Sequence, residues 1–370
     1  TFSNRRHDHV IADTFTGPFD PFFVIHDGIF PFLSSEKSGL LSKDKSRVRV
    51  FAMDRTPSST FIQSLEFRRC APERHRVRLH LSYDGGEFHG WQRQTDAEGR
   101  TTQVTGQGTI EAAVEQLFGE KLSVVGASRT DAGVHAQKQV AHFDCLKDPT
   151  KFRDLRYSLQ CLTPDSLVVK DVFLAPYDFH AIATAREKVY RYSILNRRVP
   201  SALRRRTTWW VREALSLDHL NEASQYLVGT HDFKSFQTSG TYVESTIRTL
   251  SRLQWKRVSP AETLVPGSAL DPDLYPELRT GHTAGSPAES RFLADTLLFE
   301  IQGEGFLKQM VRNIVGCLVD LQLSGRPPSD IKTVLEAKDR RKAGNTAPPQ
   351  GLFLADIRYP PELDNRCRPL

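Results

Sequence analysis

Alternating apolar and polar residues predict a series of short β-strands along the chain. In residues 77–83 every second side chain is apolar, which is the pattern of a strand that buries one face. Alternation, or a short run rich in β-branched and aromatic residues, predicts further strands at 122–125, 139–144, 167–172, 185–195, 248–258, 292–302 and 352–359.

Apolar residues three or four positions apart predict helices between these strands. In residues 109–118 the apolar side chains share one helical face, and Gly119 follows as a natural stop. The same spacing predicts helices at 152–162, 216–227, 306–321 and 329–338. Strands followed by helices occur twice, and the sequence contains neither a GxGxxG motif nor a P-loop. This order predicts an α+β fold and not a dinucleotide-binding fold.

Charge and cysteine content narrow the function classes. The 370 residues carry a net charge of +6, and a basic excess fits a partner that bears phosphates. The five cysteines are scattered, odd in number and without a CxxC spacing, which argues against a disulfide framework and a zinc site. No apolar run reaches the roughly 18 residues of a membrane span. We therefore expect no metal, no cofactor and no membrane partner.

One polar stretch, residues 126–136, is the candidate functional loop. It lies between two predicted strands, a place where a rigid scaffold commonly carries site residues. Arg129 and Asp131 stand two positions apart in it, and an arginine so close can favour the ionised carboxylate. A tight turn with a solvated ion pair is the alternative interpretation. We call residues 126–136 the signature loop.

The chain divides into four predicted parts. Residues 1–75 form a Phe-rich extension, in which so many aromatic residues indicate docking on this protein or on a partner rather than a disordered tail. A first domain spans 76–183, a second spans 184–360, and residues 361–370 form a tail. A stretch rich in Pro, Gly and acidic residues at 259–290 predicts a surface insertion in the second domain.

The signature loop reads RTDAGVHA from Arg129 onward, and it resembles the signature of the TruA family of tRNA pseudouridine synthases. Further segments resemble the family in the same order between Val77 and Tyr359. They are the Tyr83-Asp84-Gly85 turn, Gly90-Trp91-Gln92, the Tyr190-Arg191-Tyr192 strand, Gly229 to Phe236, Met310-Val311-Arg312-Asn313 and Gly351-Leu352.

The resemblance implies a fold and an activity. The fold is two similar domains whose antiparallel sheets join across a central cleft, with helices on the outer face. The activity is the isomerisation of uridine to pseudouridine in structured RNA, most simply tRNA, by a catalytic aspartate and without a cofactor or metal. A homodimer is implied as well.

The resemblance also assigns roles to five residues. Asp131 matches the catalytic aspartate and is the candidate nucleophile or base. Arg129 is expected to keep Asp131 charged or to fill the space of the displaced base. Tyr190 is expected to stack on the flipped uracil, against the alternative of an ordinary sheet aromatic. Arg312 is expected to reach the aspartate or a phosphate, and Leu352 to form an apolar wall of the pocket.

Basic residues interleaved with aromatics indicate an RNA-binding surface. Arg204, Arg205 and Arg206 precede Trp209 and Trp210, a composition suited to a phosphate backbone with stacking sites. The alternative is an exposed strand and loop with a buried Trp pair. Lys308 stands in a segment that departs from the family pattern, and we expect it to contact RNA.

Other features fit less directly. His135 is expected to make a structural hydrogen bond or an RNA contact, and Trp91 fits a core aromatic. Ser128 stands where many family members have glycine, and a small residue should be tolerated there.

The extension and the insertion have no counterpart in minimal family members. They motivate an alternative function, an RNA-binding assembly factor for organellar ribosomal RNA whose catalysis is dispensable. In that case residues 1–75 would dock to a ribosome-assembly particle. The extension also favours a mitochondrial location, with the cytoplasm or the nucleus as the alternative.

Overall fold

The computed structural model describes residues 71, 73–96, 102–258 and 295–370. The described residues all belong to one compact unit, Pro57–Leu370. The predicted insertion and nearly all of the predicted extension lie outside the described residues. No helix in the described ranges is long and apolar enough to cross a membrane.

The strands form a single mixed sheet that runs through both halves of the described chain. In chain order they are β1 (His75–Tyr83), β2 (Val125–Gly126), β3 (His135–Cys145), β4 (Leu167–Ala175), β5 (Glu187–Asn196), β6 (Trp209–Val211), β7 (Gly229–Asp232), β8 (Ile247–Val258), β9 (Thr296–Gly303), β10 (Leu352–Arg358) and β11 (Arg368–Pro369). The sheet order is β11-β4-β1-β3-β10-β5-β9-β8-β7, with β2 beside β3 and β6 beside β5.

The two halves of the sheet join at β10. This last long strand lies between β3 and β5, parallel to the first and antiparallel to the second. The α+β fold with joined sheets is confirmed, with one refinement: the sheet is mixed, because the β10–β3 and β5–β6 pairs are parallel. The division at residue 184 stays a prediction.

The helices are α1 (Gly106–Phe118), α2 (Leu155–Gln160), α3 (Leu217–Gln225), α4 (Met310–Leu323), α5 (Asp330–Glu336) and α6 (Pro361–Asp364). Local chemistry explains the bounds of α1 and α3. The hydroxyl of Thr105 caps α1 by accepting from the Gly108 amide, and Gly119 ends α1 with a φ of 71°. Ser216 caps α3 in the same way, as its sequence position predicts.

Helix α4 begins four residues later than the apolar spacing predicts. Gln309 has a left-handed φ of 58° just before Met310, so residues 306–309 form a loop between β9 and α4. Thr238 stabilises this loop by donating its hydroxyl to the carbonyl of Lys308 at 3.1 Å. The prediction of a helix from Phe306 is therefore wrong, and Lys308 is an exposed residue of this loop.

The predicted strand at 122–125 is also wrong, except for its last residue, which begins β2. The Val124 amide donates to the carboxylate of Glu111 at 3.0 Å, and its carbonyl accepts from the side chain of Gln107 at 3.1 Å. Helix α1 thus satisfies this backbone, and a neighbouring strand is not needed.

Residues 361–370 are part of the fold and not a free tail. Strand β11 extends the sheet beyond β4, and Asp364 accepts a 2.5 Å hydrogen bond from the buried Arg78. The Arg78 guanidinium also lies 4.9 Å from the ring centre of Phe179 and 4.8 Å from that of Tyr359. The C-terminal segment therefore extends the edge of the sheet and pairs with Arg78.

Candidate active site

A buried glutamine fixes the signature loop to the sheet. Gln139 of β3 is fully buried. Its side-chain amide donates to the carbonyl of Ser128 at 2.6 Å and accepts from the Ser128 amide at 3.3 Å. On the other side of Arg129, the hydroxyls of Thr130 and Tyr83 are 2.8 Å apart. The backbone is thus held on both sides of Arg129.

Two glycine-containing turns pack closely against the backbone of the signature loop. A Cβ at Gly85 would meet the Val134 carbonyl oxygen at 2.1 Å, and one at Gly90 would meet the Thr130 carbonyl oxygen at 2.6 Å. Only glycine permits such close approach of two backbones. The two family-like motifs around residues 85 and 90 therefore position the signature loop.

His135 has the structural role that its position predicts. Its Nδ1 accepts from the Gly85 amide at 3.1 Å, and its Nε2 lies 2.8 Å from the Arg206 carbonyl oxygen. Burial lowers the pKa of His135, against the opposing charge of Asp84, whose Oδ1 lies 3.1 Å from Nδ1. The neutral ring, with its proton on Nε2, fits the bonds to Gly85 and Arg206. Trp91 is buried in the core, as expected.

Arg312 of α4 binds the carboxylate of Asp131. Nη1 of Arg312 donates to Oδ2 of Asp131 at 3.2 Å, and Nε donates to the Ala347 carbonyl at 2.8 Å. The side chain of Arg312 is 12% exposed and that of Asp131 is 25% exposed. The loop before β10 therefore holds the arginine, and the arginine orients the carboxylate.

Tyr190 of β5 contacts the signature loop at Ser128. Its hydroxyl is 2.8 Å from the hydroxyl of Ser128, and its ring meets Phe306 edge-on at 5.1 Å between centroids. Burial, with a smaller contribution from the charge of Asp131, raises the pKa of Tyr190 to about 12, against the opposing effect of the Ser128 hydrogen bond. The phenol is therefore neutral at physiological pH.

Leu352 lies on the strand next to that of Tyr190. It is buried and begins β10, where it pairs with Tyr192 of β5. The structure thus gathers Asp131, Arg312 and Tyr190 around the signature loop, with Leu352 on the neighbouring strand.

Arg129 does not bind Asp131. Its side chain is exposed and makes no hydrogen bond or ion pair with any described residue. The expectation that Arg129 holds the carboxylate is wrong, because Arg312 occupies that position. The expectation that Arg129 fills the space of a displaced base stays a prediction.

The predicted RNA-binding arginines differ from one another. Arg204 is 14% exposed and pairs with Asp295 at 3.1 Å, which fits a structural role and not the predicted RNA contact. Arg206 pairs with Asp84 at 3.0 Å and with Glu87 at 2.5 Å. Arg205 and Lys308 are exposed, and their contact with RNA stays a prediction.

Sequence reasoning missed Gln139 and Phe306. The signal that could have identified Gln139 is an amide side chain at a strand position where a buried apolar residue is expected. For Phe306 the apolar spacing predicts a helix, and the structure places the residue in the loop before α4. No group of three or more His, Cys, Asp or Glu side chains in the described ranges could hold a metal ion.

Comparisons with known proteins agree on one family. Residues 223–360 match the family described as tRNA pseudouridine synthase. A protein of Bdellovibrio bacteriovorus named tRNA pseudouridine synthase A is 40% identical over 294 residues, which cover 79% of this chain and 98% of the relative. Proteins of the same name from Acetivibrio thermocellus and Brevibacillus brevis are 36% and 37% identical. They cover 76% and 77% of this chain and 99% of each relative.

Proposed function

This chain belongs to the tRNA pseudouridine synthase family, and on that premise we propose that it isomerises uridines of structured tRNA with Asp131 as the catalytic carboxylate. The reaction breaks the bond between N1 of uracil and C1′ of ribose and forms a bond between C5 and C1′. The proton lost at C5 is balanced by the proton gained at N1. Substrate and product are isomers, so the reaction consumes no oxidant and no energy source.

The contact between Asp131 and Arg312 is the observation that carries this proposal. A carboxylate can attack C1′ as a nucleophile or remove a proton from the sugar as a base, and both roles need its charged form. Arg312 balances that charge and fixes one oxygen at 3.2 Å. The carboxylate is still a quarter exposed, so a bound nucleotide can reach it.

Tyr190 is only 5% exposed, and we propose that the flipped uracil stacks on its ring. Its ring is held by Phe306 and by the bond of its hydroxyl to Ser128. Because its pKa is raised to about 12, it does not serve as a base at neutral pH. Stacking of a nucleobase on such a ring contributes roughly 1–3 kcal/mol.

Arg129 is placed to stabilise the RNA after the base has left the helix. Extruding a base costs a few kcal/mol. Arg129 is exposed, unpaired among the described residues and two positions from Asp131. Its guanidinium is therefore available to occupy the space that the flipped base leaves in the RNA helix when the nucleotide reaches Asp131.

The experiment that tests the function is pseudouridine mapping of total cellular RNA. Cells lacking the protein are complemented with the wild type, with Asp131→Ala, or with Asp165→Ala as a control at an exposed aspartate. We expect discrete tRNA sites to disappear with Asp131→Ala and to persist with the control. Sites that persist with Asp131→Ala would contradict the proposal.

Several finer expectations stay predictions. The homodimer can be tested by light scattering, the mitochondrial location by fractionation, and rRNA sites by the same mapping. The alternative of a ribosomal assembly factor depended on residues 1–75 and 259–290, almost all of which lie outside the described residues. No observation favours it, and it is not proposed.

A further inference from the structure

Lys188 stands beside Tyr190 on the same face of β5. Side chains two positions apart in a strand point to the same side, about 7 Å apart. Lys188 pairs with Gly303 of β9, which contributes no side chain above this part of the sheet. A Cβ at Gly303 would lie 3.4 Å from the ring of Phe306, the ring that also packs on Tyr190. Lys188 is therefore half-buried next to the aromatic part of the proposed active site.

Arg248 of β8 approaches the same place from the next strand. Leu250 pairs with Gly303, so Arg248, two positions away, lies on the same face. Nη1 of Arg248 donates to the carbonyls of Ser245 at 2.9 Å and Ile247 at 2.6 Å. These two bonds fix the guanidinium, and its Nε lies 3.8 Å from the position of a Cβ at Gly305.

The two cations repel each other. Burial, followed by the charge of Arg248, lowers the pKa of Lys188 to about 8. Burial also lowers the pKa of Arg248. Two like charges that are half withdrawn from water destabilise a protein unless an anion lies between them.

No carboxylate of the described chain fills that position. Neither Lys188 nor Arg248 forms an ion pair with a described residue. Glu187, next to Lys188, binds Arg358 and the Ser251 hydroxyl, each at 2.5 Å. Asp232, at the neighbouring end of β7, binds Lys338 at 3.0 Å. Glu187 and Asp232 are thus committed elsewhere.

We propose that Lys188 and Arg248 form a subsite for a phosphodiester of the bound RNA, beside the nucleotide that Tyr190 receives. This inference rests on the proposed function, since RNA is the anion that the protein would bring to this face. A compact ammonium and a planar guanidinium can contact two non-bridging oxygens of one phosphate. We call the pair Lys188 and Arg248 the phosphate subsite.

The test is the salt dependence of tRNA binding. Affinity is measured over a series of KCl concentrations for the wild type, Lys188→Gln, Arg248→Gln and the control Lys170→Gln, an exposed lysine of β4. Each lost phosphate contact should reduce the slope of log K against log salt by roughly 0.7–0.9. We expect that reduction, and roughly tenfold weaker binding, for both subsite variants and not for the control.

Single-turnover kinetics separate a role of the phosphate subsite in binding tRNA from a role in positioning the side chain of Tyr190. The subsite variants should need more tRNA for half-maximal rate and should reach the wild-type rate at saturation. Lys188→Arg should restore the slope. An unchanged slope in both variants, or a lower saturating rate without a change in slope, would overturn the phosphate subsite.

The failure of this inference can be told apart from failure of the proposed function. The slope does not depend on turnover. A wild type that makes no pseudouridine in any tRNA, but whose Lys188→Gln variant still loses slope, would overturn the proposed function and leave the phosphate subsite standing.

Discussion

Arg312 donates a 3.2 Å hydrogen bond to Asp131 across 181 residues of sequence. The arginine belongs to α4 in the second half of the chain, and the aspartate belongs to the loop between β2 and β3 in the first. Strand β10 joins these halves, and the loop that precedes it holds the arginine through Ala347. The proposed active site thus depends on the junction of the two halves.

We predict that Arg312→Ala lowers kcat much more than it weakens tRNA binding. A hydrogen bond between two charged groups contributes about 1.5–3 kcal/mol, which corresponds to roughly 10–150-fold in rate. Arg312→Lys should give an intermediate rate, because an ammonium cannot match the fork that reaches both Asp131 and Ala347. Arg326→Ala, which removes an exposed arginine just beyond α4, is the control. Equal rates for Arg312→Ala and the control would refute the prediction.

The ring of Tyr190 should matter more than its hydroxyl. Tyr190→Phe keeps the stacking surface and loses one bond to Ser128, so we expect kcat/KM close to that of the wild type. Tyr190→Leu removes the ring and should lower kcat/KM by roughly 5–150-fold, from about 1–3 kcal/mol of stacking. Steady-state kinetics on a tRNA substrate would show the difference. A Tyr190→Phe variant as poor as Tyr190→Leu would indicate that the hydroxyl has a chemical role.

Gln139 should control the shape of the signature loop. Gln139→Leu leaves the amide and the carbonyl of Ser128 without their partner, at a cost of about 1–3 kcal/mol for each buried group. We expect a lower midpoint of thermal unfolding and lower activity at temperatures where the variant is still folded. Gln254→Leu, the same change at an exposed position of β8, should affect neither. A Gln139→Leu variant with full activity would show that the loop keeps its shape without the amide.

Elements with a strong local pattern could be predicted from the sequence. The alternation in β1 and β8 and the Ser216 cap of α3 appear in the structure where the pattern indicates them. These features depend on neighbours within a few residues. The approach of Arg312 to Asp131 was expected from the resemblance alone, because no local pattern links residues 181 positions apart.

The remaining differences come from tertiary contacts that a sequence pattern does not contain. The backbone at Val124 is satisfied by side chains of α1, so a β-branched run there is not a strand. Helix α4 begins late because Gln309 adopts a left-handed conformation. Arg204 resembles its exposed neighbour Arg205 in sequence, but the structure turns it inward toward Asp295.

The contrast between Arg204 and Arg205 gives a paired prediction. Arg204→Ala removes a partner from the buried Asp295 and should lower the free energy of unfolding by about 1–3 kcal/mol. Arg205→Ala should leave stability unchanged and weaken tRNA binding in a salt-dependent way. Denaturant unfolding and binding assays on both variants test this. The opposite assignment of effects would show that Arg204 is the RNA ligand.

Acid should destabilise the protein through His142. Burial, followed by the charges of Arg76 and His180, lowers the pKa of His142 from 6.5 to about 3, against the opposing charge of Asp144. In the fold its Nδ1 accepts a hydrogen bond from the Ala181 amide, which requires the unprotonated ring nitrogen. Above pH 6.5 the ring is neutral in both states, and this group contributes no pH dependence. Below pH 6.5 the unfolded chain binds a proton that the folded chain does not. The free energy of unfolding therefore decreases as the pH decreases below 6.5.

The expected slope is up to about 1.4 kcal/mol per pH unit for one such histidine between pH 6.5 and the folded pKa. Replacing His142 by Gln preserves an acceptor for the Ala181 amide and removes the titrating group. The stability of His142→Gln should therefore fall less steeply from pH 6.5 to 4 than that of the wild type. Carboxylates that also titrate there are common to both proteins and cancel in the difference. His89→Gln, at an exposed histidine, should keep the wild-type slope. Identical slopes for the wild type and His142→Gln would mean that the buried ring takes up its proton without opening the fold.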